Sequence, residues 1–176
     1  MMMNMLEAGG VELLVDGLRS ADGSNPRGYF EFEPVKDLDR NGDASWLLQS
    51  SGKAIKVISY LLPKLPQAFT YQVIFMNRDL SEILSSQRRM LIDRSQPVSD
   101  TSDEGMLAIY REHLDGTRQL METGRCFTTL YVDHRALIEH PADHARRISA
   151  FLGGKLDVER MAQIPERALY RNRAKP

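Results

Sequence analysis

The sequence predicts a single α/β domain with a mainly parallel sheet, and two patterns indicate this fold. A continuous apolar run, typical of a strand buried on both faces, occurs at 73–76, and further strand candidates lie at 54–59 and 126–132. Amphipathic stretches with helical spacing occur at 80–91, 102–121 and 141–152. Because strands that alternate with helices favour parallel pairing with helices on the sheet faces, we expect a three-layer α/β/α arrangement. The length of 176 residues suits one such domain.

The first part of the chain predicts a helix, a short strand and a loop. Residues 1–8 are predicted to be an apolar helix that stops at Gly9-Gly10. No polar lead-in or capping residue precedes this helix, so we interpret it as the end of a longer one. A short strand is predicted at 11–15, followed by a loop at 16–28 that is rich in Gly, Asp and Ser.

The middle of the chain contains a polar corner at the end of an apolar strand. Two short helices, one opened by Pro34 and one at 44–49, precede the strand predicted at 54–59. The apolar run at 73–76 then ends abruptly at Asn77-Arg78-Asp79, where the helical spacing begins. Such a corner, at the carboxyl end of a buried parallel strand, lies at the sheet edge where open α/β folds bind ligands.

The last part of the chain predicts a second strand-to-helix unit. A polar connection at 93–103 leads to a helix capped by Thr101 or Ser102, and this helix runs to about Met121. The strand at 126–132 and the helix at 141–152 follow. From about residue 155 the composition predicts a basic, solvated tail.

Composition and charge exclude several classes of protein. An apolar content of 42% and a charged content of 27% are ordinary for a globular protein, and the net charge of −1 gives no overall attraction for nucleic acid. One cysteine excludes a disulfide framework. No apolar run is long enough to span a membrane and no signal peptide is visible, so we expect a cytoplasmic protein. We also expect no metal site, because Pro141 interrupts the His140 and His144 spacing.

Arg78, Lys56 and two glutamates are the candidate functional residues. Arg78 stands where an anion would bind, although it can also form a surface ion pair with Asp79 or Glu82. Lys56 interrupts an apolar strand, which indicates either a buried ion pair or a contact with a ligand. Glu31 and Glu33 alternate with aromatic residues, so each is either a general base or a solvent-exposed carboxylate.

Four segments resemble the sulfotransferase family, especially its bacterial members. The first, at 6–38, resembles the stretch that follows the family's phosphate loop, and the second, KVISYLLPKLP, resembles the strand and turn that present a catalytic lysine. The third, NRDLSEILSS, is similar to the motif in which an arginine and a serine eight residues later hold a 3′-phosphate. The fourth, at 130–154, resembles the strand and helix that follow. The resemblance covers most of the chain up to about Gly154.

The resemblance implies a P-loop α/β fold and sulfuryl transfer from the co-substrate 3′-phosphoadenosine 5′-phosphosulfate to a hydroxyl or amine of a small-molecule or glycan acceptor, without a metal. It implies that Arg78 and Ser86 bind the 3′-phosphate and that Lys56 is catalytic. Ile58 stands where one branch of the family has a histidine base, so Glu31 or Glu33 is the expected base. Arg171 and Arg173 either close over the nucleotide or, as the basic composition of the tail favours, face solvent.

The resemblance also implies that part of the family's fold is missing. Family members begin with a strand and a loop of the PRSGTS type, whereas this sequence begins within the helix that follows that loop. We therefore expect a truncated sulfotransferase-like domain that lacks the first strand and the phosphate loop, with impaired activity or stability. Two alternatives stay open: a non-catalytic nucleotide-binding remnant or interaction subunit, and a P-loop nucleotide kinase.

Overall fold

The computed structural model of the protein describes residues 1–22, 25–40, 42–93 and 101–166, which form a mixed helical and stranded fold. Its helices and strands, in chain order, are α1 (Met2–Ala8), α2 (Asp37–Arg40), β1 (Tyr71–Asn77), α3 (Leu80–Asp93), α4 (Asp103–Thr123), β2 (Phe127–Asp133), α5 (His134–Glu139), α6 (Pro141–Phe151) and α7 (Val158–Ala162). Short 3₁₀ helices lie at Glu33–Lys36, Ser45–Gln49 and Ser59–Lys64.

The two strands form a parallel pair, joined by a crossover through α3 and α4. Their register runs from Tyr71 opposite Phe127 to Asn77 opposite Asp133. Parallel strands need such a crossover because the chain must return to the same end of the sheet. The prediction of a mixed α/β fold with parallel strands is confirmed. The three-layer arrangement of P-loop type stays a prediction.

Two hydrophobic clusters contact alternate residues of the strands. The first, which we name the Trp46 cluster, consists of Val35, Leu38, Trp46, Leu47, Leu61, Leu62, Leu65 and Met121. The second, the Ile148 cluster, consists of Met5, Leu6, Val132, Leu137, Ala145, Ile148 and Met161. Val73 and Phe75 of β1 pack on the Trp46 cluster, while Ile74 and Met76 pack on the Ile148 cluster. Because successive side chains of a strand point to opposite faces, β1 has a core on each face.

The predicted strands at 11–15 and 54–59 form only one bridge. Leu13 pairs with Ala54 in parallel, and Leu14 N–H donates to the Ala54 carbonyl at 2.9 Å. The strand prediction is wrong at the end of the second segment, where the chain turns into the 3₁₀ helix Ser59–Lys64. Pro63 lies inside that helix, and because proline has no N–H and a fixed φ it favours a turn over a continued strand.

The carboxyl-terminal residues contribute to the core. The basic tail was predicted to begin at about residue 155, but α7 lies within it and Met161 of α7 is fully buried in the Ile148 cluster. Asp157 N–H donates to the Gly9 carbonyl at 3.1 Å, which ties the start of α7 to the end of α1. In the part of the chain that the structure describes, no helix combines the length and apolar character needed to cross a membrane.

Replacing Ile148 by Ala should destabilise the fold far more than replacing Ile109 by Ala. Ile148 is 0% exposed, whereas Ile109 of α4 is 55% exposed. Truncating the buried side chain is expected to lower the free energy of unfolding by about 2–5 kcal/mol. The exposed substitution should change it by less than about 0.5 kcal/mol. Urea unfolding followed by circular dichroism measures both, and equal losses would contradict the core described above.

Candidate anion-binding site

Lys56 and Arg78 line the same cavity, although they come from separate segments. The cavity has a volume of about 1740 Å³ and extends along β1. The segment 53–57 lines it as well, together with Tyr29, Phe30 and the start of α1. Two of the residues that the sequence selected for anion binding are therefore brought to one cavity. It exceeds the roughly 300–1,000 Å³ of typical small-molecule pockets.

Arg78 is fixed by a buried carboxylate at the end of β1. Its Nε donates to Glu82 Oε2 at 3.0 Å, and the Glu82 side chain is 3% exposed. A buried carboxylate needs such a partner, because an unpaired charge in the protein interior is very costly. Of the two roles left open for Arg78, the ion pair with Glu82 is present, and the same arginine lines the cavity.

Asp79 organises the first turn of α3 beside Arg78. Its Oδ1 accepts hydrogen bonds from the backbone N–H groups of Ser81, at 2.8 Å, and Glu82, at 3.3 Å. The pKa of Asp79 is lowered, first by the hydrogen bond from the Ser81 hydroxyl, so the carboxylate stays ionised near neutral pH. Asp79 therefore acts as a helix cap that positions Glu82 and, through it, Arg78.

His134 belongs to the same corner, and sequence reasoning missed it. Burial lowers the pKa of His134, and the Arg78 guanidinium lowers it further, while Glu82 raises it. His134 directly follows β2 as Arg78 follows β1, so the carboxyl ends of both strands contribute to this corner. Parallel pairing of two predicted strands was the signal that could have found it, because it aligns their carboxyl ends.

Lys56 is held by Glu31 and a backbone carbonyl. Its Nζ donates to the Tyr29 carbonyl at 2.9 Å and lies 3.6 Å from Glu31 Oε1. The same carboxylate oxygen accepts from Arg19 at 2.8 Å, and the Arg19 guanidinium lies over the Tyr29 ring, 3.2 Å from its centroid. Glu31 therefore lies between two cations. Arg19 was not among the predicted site residues.

The backbone at Phe30, between Tyr29 and Glu31, has a left-handed conformation. Phe30 has φ of 51°, a left-handed conformation that a bulky residue rarely adopts. Such a conformation costs roughly 1–2 kcal/mol, and residues of this kind cluster at functional sites. Phe30 lies between Tyr29, whose carbonyl binds Lys56, and Glu31, whose carboxylate pairs with it. The strained residue therefore connects the two groups that hold Lys56.

Glu33 does not share this environment. Its carboxylate pairs with Lys36 at 2.6 Å and is 44% exposed, while its backbone N–H donates to Asp16. The structure therefore separates the two predicted bases: Glu31 lies beside Lys56, and Glu33 lies at the surface.

Of the remaining predicted binding residues, only Ser86 lies within the described part of the chain. Ser86 is half-buried in α3 and is not among the described residues that line the cavity. Arg171 and Arg173 lie outside the described residues.

The cavity is lined by charged side chains of both signs. Its lining side chains include the cations of Lys53, Lys56, Arg78, Arg111 and Arg118, against the carboxylates of Glu12, Asp79 and Asp115. The α-amino group of Met1 also lies here, and its pKa is lowered, first by burial and then by Arg27 and Lys56. Four of the five cations form ion pairs: Lys53 with Glu12, Lys56 with Glu31, Arg78 with Glu82 and Arg118 with Asp115. An anion can bind here by sharing these cations with their carboxylates.

Within the described ranges, no group of three or more His, Cys, Asp or Glu side chains is arranged to hold a metal ion. Comparison of the chain with protein-family models, with curated proteins and with solved structures gave no match.

Stability should decrease as the pH falls below 6.5. Burial lowers the pKa of both His134 and His144 from the ordinary value of 6.5. The unfolded chain therefore binds protons on these rings at a higher pH than the folded chain does. Their contribution to the free energy of unfolding is complete above pH 6.5 and is lost as the pH falls toward the lowered pKa values.

Urea unfolding at about pH 7.5 and about pH 5.5 measures this loss. The substitution His134→Gln should reduce the difference between the two conditions, because it removes one of the titrating rings. An unaltered pH dependence in His134→Gln would show that this ring does not titrate differently in the two states.

Proposed function

We propose that the chain is a sulfotransferase-type domain of the three-layer P-loop class, whose cavity binds the nucleotide 3′-phosphoadenosine 5′-phosphosulfate in the cytoplasm. One observation carries the proposal: Lys56 and Arg78, from two different segments, line one cavity. The ordered resemblance of four segments to sulfotransferases supports it. The five cations of the lining offer hydrogen-bond donors to a ligand with several phosphate and sulfate groups.

Each site residue then has a distinct task. Arg78 binds the 3′-phosphate from the end of β1. Lys56 neutralises the charge that develops as the bond between sulfur and the phosphate oxygen breaks and the acceptor oxygen bonds to sulfur. The acceptor's proton passes to Glu31, which lies 3.6 Å from Lys56. Glu31 is preferred to Glu33 as the base because only Glu31 contacts Lys56 among the pairs described here.

A second candidate is a non-catalytic subunit that binds a nucleotide or another chain. It is favoured by the sheet, in which β1 pairs with β2 along one edge only. Natural proteins rarely leave a strand edge without a partner or a cover.

Loss of Arg78 should abolish nucleotide binding, provided that the buried Glu82 is neutralised as well. Removing Arg78 alone would leave the buried Glu82 carboxylate without this partner, which lowers the free energy of unfolding by about 3–5 kcal/mol. A loss of nucleotide binding could then reflect a loss of folding. We therefore compare Glu82→Gln with the double substitution Arg78→Ala/Glu82→Gln. Adenosine 3′,5′-bisphosphate at 100 times its Kd stabilises a binding protein by about 2.7 kcal/mol.

Thermal unfolding with and without this nucleotide measures the difference, each variant against its own baseline. Glu82→Gln should keep the thermal shift and the double variant should lose it. A shift retained in the double variant would remove Arg78 from the binding site. A shift that is larger with ATP than with adenosine 3′,5′-bisphosphate would favour a nucleotide kinase.

Neutralising Glu31 should strengthen nucleotide binding. The Glu31 carboxylate competes with an anionic ligand for Lys56, so Glu31→Gln is expected to raise the affinity for 3′-phosphoadenosine 5′-phosphosulfate about two- to fivefold. Glu33→Gln is the matched control, because Glu33 pairs with Lys36 at the surface, and its affinity should stay unchanged. Isothermal titration calorimetry measures both. Equal effects of the two substitutions would show that Glu31 has no special relation to the ligand.

A further inference from the structure

The cavity lies along an edge of β1 whose backbone groups form no hydrogen bond with the other described residues. Tyr71 N–H donates to the Cys126 carbonyl at 2.8 Å, so the backbone groups of Tyr71 point toward β2. In a parallel strand, successive residues direct their backbone groups to opposite edges. Those of Ile74 and Met76 therefore point away from β2. Every residue of β1 lines the cavity, which places the cavity along this second edge.

The opposite side of the cavity is also extended backbone. Residues 53–57 line it consecutively. Ala54 uses both its backbone groups on the 11–15 side: its N–H donates to the Glu12 carbonyl at 2.8 Å, and its carbonyl accepts from Leu14 at 2.9 Å. The backbone groups of the next residue, Ile55, therefore point the other way, toward the cavity. We name this cavity the slot. Residues 53–57 form its far rim, and strand β1 forms its near rim.

The two rims share the same two cores. On the far rim, Ile55 and Val57 pack on the Trp46 cluster while Ala54 packs on the Ile148 cluster. On the near rim, Val73 and Phe75 pack on the Trp46 cluster while Ile74 packs on the Ile148 cluster. A strand placed between the rims would direct its alternate side chains into the same two clusters. Such a strand, buried on both faces, would be continuously apolar.

Two further observations indicate which polar and charged groups a strand bound in this slot would have. Trp46 lines the slot, is 8% exposed, and its indole Nε1–H has no hydrogen-bond partner among the described residues, so it can donate to an incoming acceptor. Among the lining cations, Arg111 forms no ion pair with the described residues, whereas Lys53, Lys56, Arg78 and Arg118 each do. Acidic residues on the occupant would pair with Arg111.

We propose that the slot accepts a β-strand from another polypeptide: an extended segment of about five to seven apolar residues followed by acidic residues. The inserted strand would continue the β1–β2 ladder on one side and the bridge between Leu13 and Ala54 on the other. Its backbone groups would pair with those of Ile74 and Met76 on one rim and of Ile55 on the other. The interaction uses backbone groups and apolar side chains, so it does not rest on nucleotide binding.

The probe is a synthetic peptide, acetyl-Ser-Val-Ile-Val-Ile-Val-Asp-Asp-amide, added to the ¹⁵N-labelled full chain. Amide hydrogen exchange is followed by NMR. On binding, exchange of the Ile55, Ile74 and Met76 amides should slow by at least about tenfold, because each gains a hydrogen bond. The Val73 and Phe75 amides face β2 and serve as internal references, which should change little. Absence of binding, or binding without this pattern of protection, overturns the proposal.

Two N-methylated forms of the peptide test insertion between both rims. In the first form every second amide is methylated, which removes the N–H donors along one edge of the peptide. In the second form the remaining amides are methylated, which removes the N–H donors along the other edge. Insertion predicts that both forms lose at least about tenfold in affinity. If only one form loses affinity, the peptide pairs with one rim alone, and if neither does, it binds by apolar contact alone. Either result overturns insertion.

A pair of protein variants checks the near rim. Gln72 is exposed at the start of β1 and its backbone groups also point toward the slot. Gln72→Pro removes that N–H without removing a bond to β2. Gln72→Ala is the control, since both variants lose the side-chain bond to the Phe151 carbonyl. Peptide affinity should fall in Gln72→Pro and not in Gln72→Ala, with circular dichroism confirming that both fold. The thermal shift with adenosine 3′,5′-bisphosphate is measured separately, so failure of either proposal is recognised independently.

Discussion

The rest of the structure depends on the burial of a parallel strand pair on both of its faces. Two strands cannot supply a stable sheet by themselves, so β1 and β2 rely on apolar cover from each side. The Trp46 cluster and the Ile148 cluster provide that cover, and the alternation of Val73 and Phe75 with Ile74 and Met76 assigns each side chain to one of them. Shifting the register by one residue would exchange the two sets, so the pairing that aligns the carboxyl ends of the strands is strongly specified.

The candidate site follows from that alignment and from two carboxylates. The buried Glu82 fixes Arg78 at the end of β1, and Glu31 fixes Lys56 beside Tyr29. These carboxylates pre-position the cations but also offset their charge. An anion must therefore share each cation with its carboxylate, which favours ligands of high charge such as a nucleotide with both phosphate and sulfate groups. The two ion pairs differ in exposure: Glu82 is almost fully buried, whereas Lys56 is 38% exposed. An anionic ligand therefore replaces Glu31 at Lys56 more readily than it replaces Glu82 at Arg78.

Local patterns in the sequence predicted the long elements and one half of the site. Strand β1, helix α3 and the corner at Arg78 were predicted because an apolar run, a polar break and a 3.6-residue period follow one another within a few residues. The segment 54–59 was mispredicted at its end, since its apolar run resembles a strand while its tertiary contacts favour a 3₁₀ turn at Ser59. Arg19 and His134 were missed because their roles depend on partners distant in sequence. No local period encodes the contact of Arg19 with Glu31, and sequence alone could not choose Glu31 over Glu33.

The separation of the paired strands along the chain has a consequence for how the protein folds. Tyr71 pairs with Phe127, so 127 minus 71, or 56 residues, must be closed into a loop before the first ladder bond can form. Closing such a loop costs about 3.6 kcal/mol in chain entropy beyond a constant term. Helices α3 and α4 lie within that loop and form from local contacts, so they should be present before the strands meet. The sheet, and with it the aligned corner of Arg78 and His134, should therefore form after these two helices during refolding.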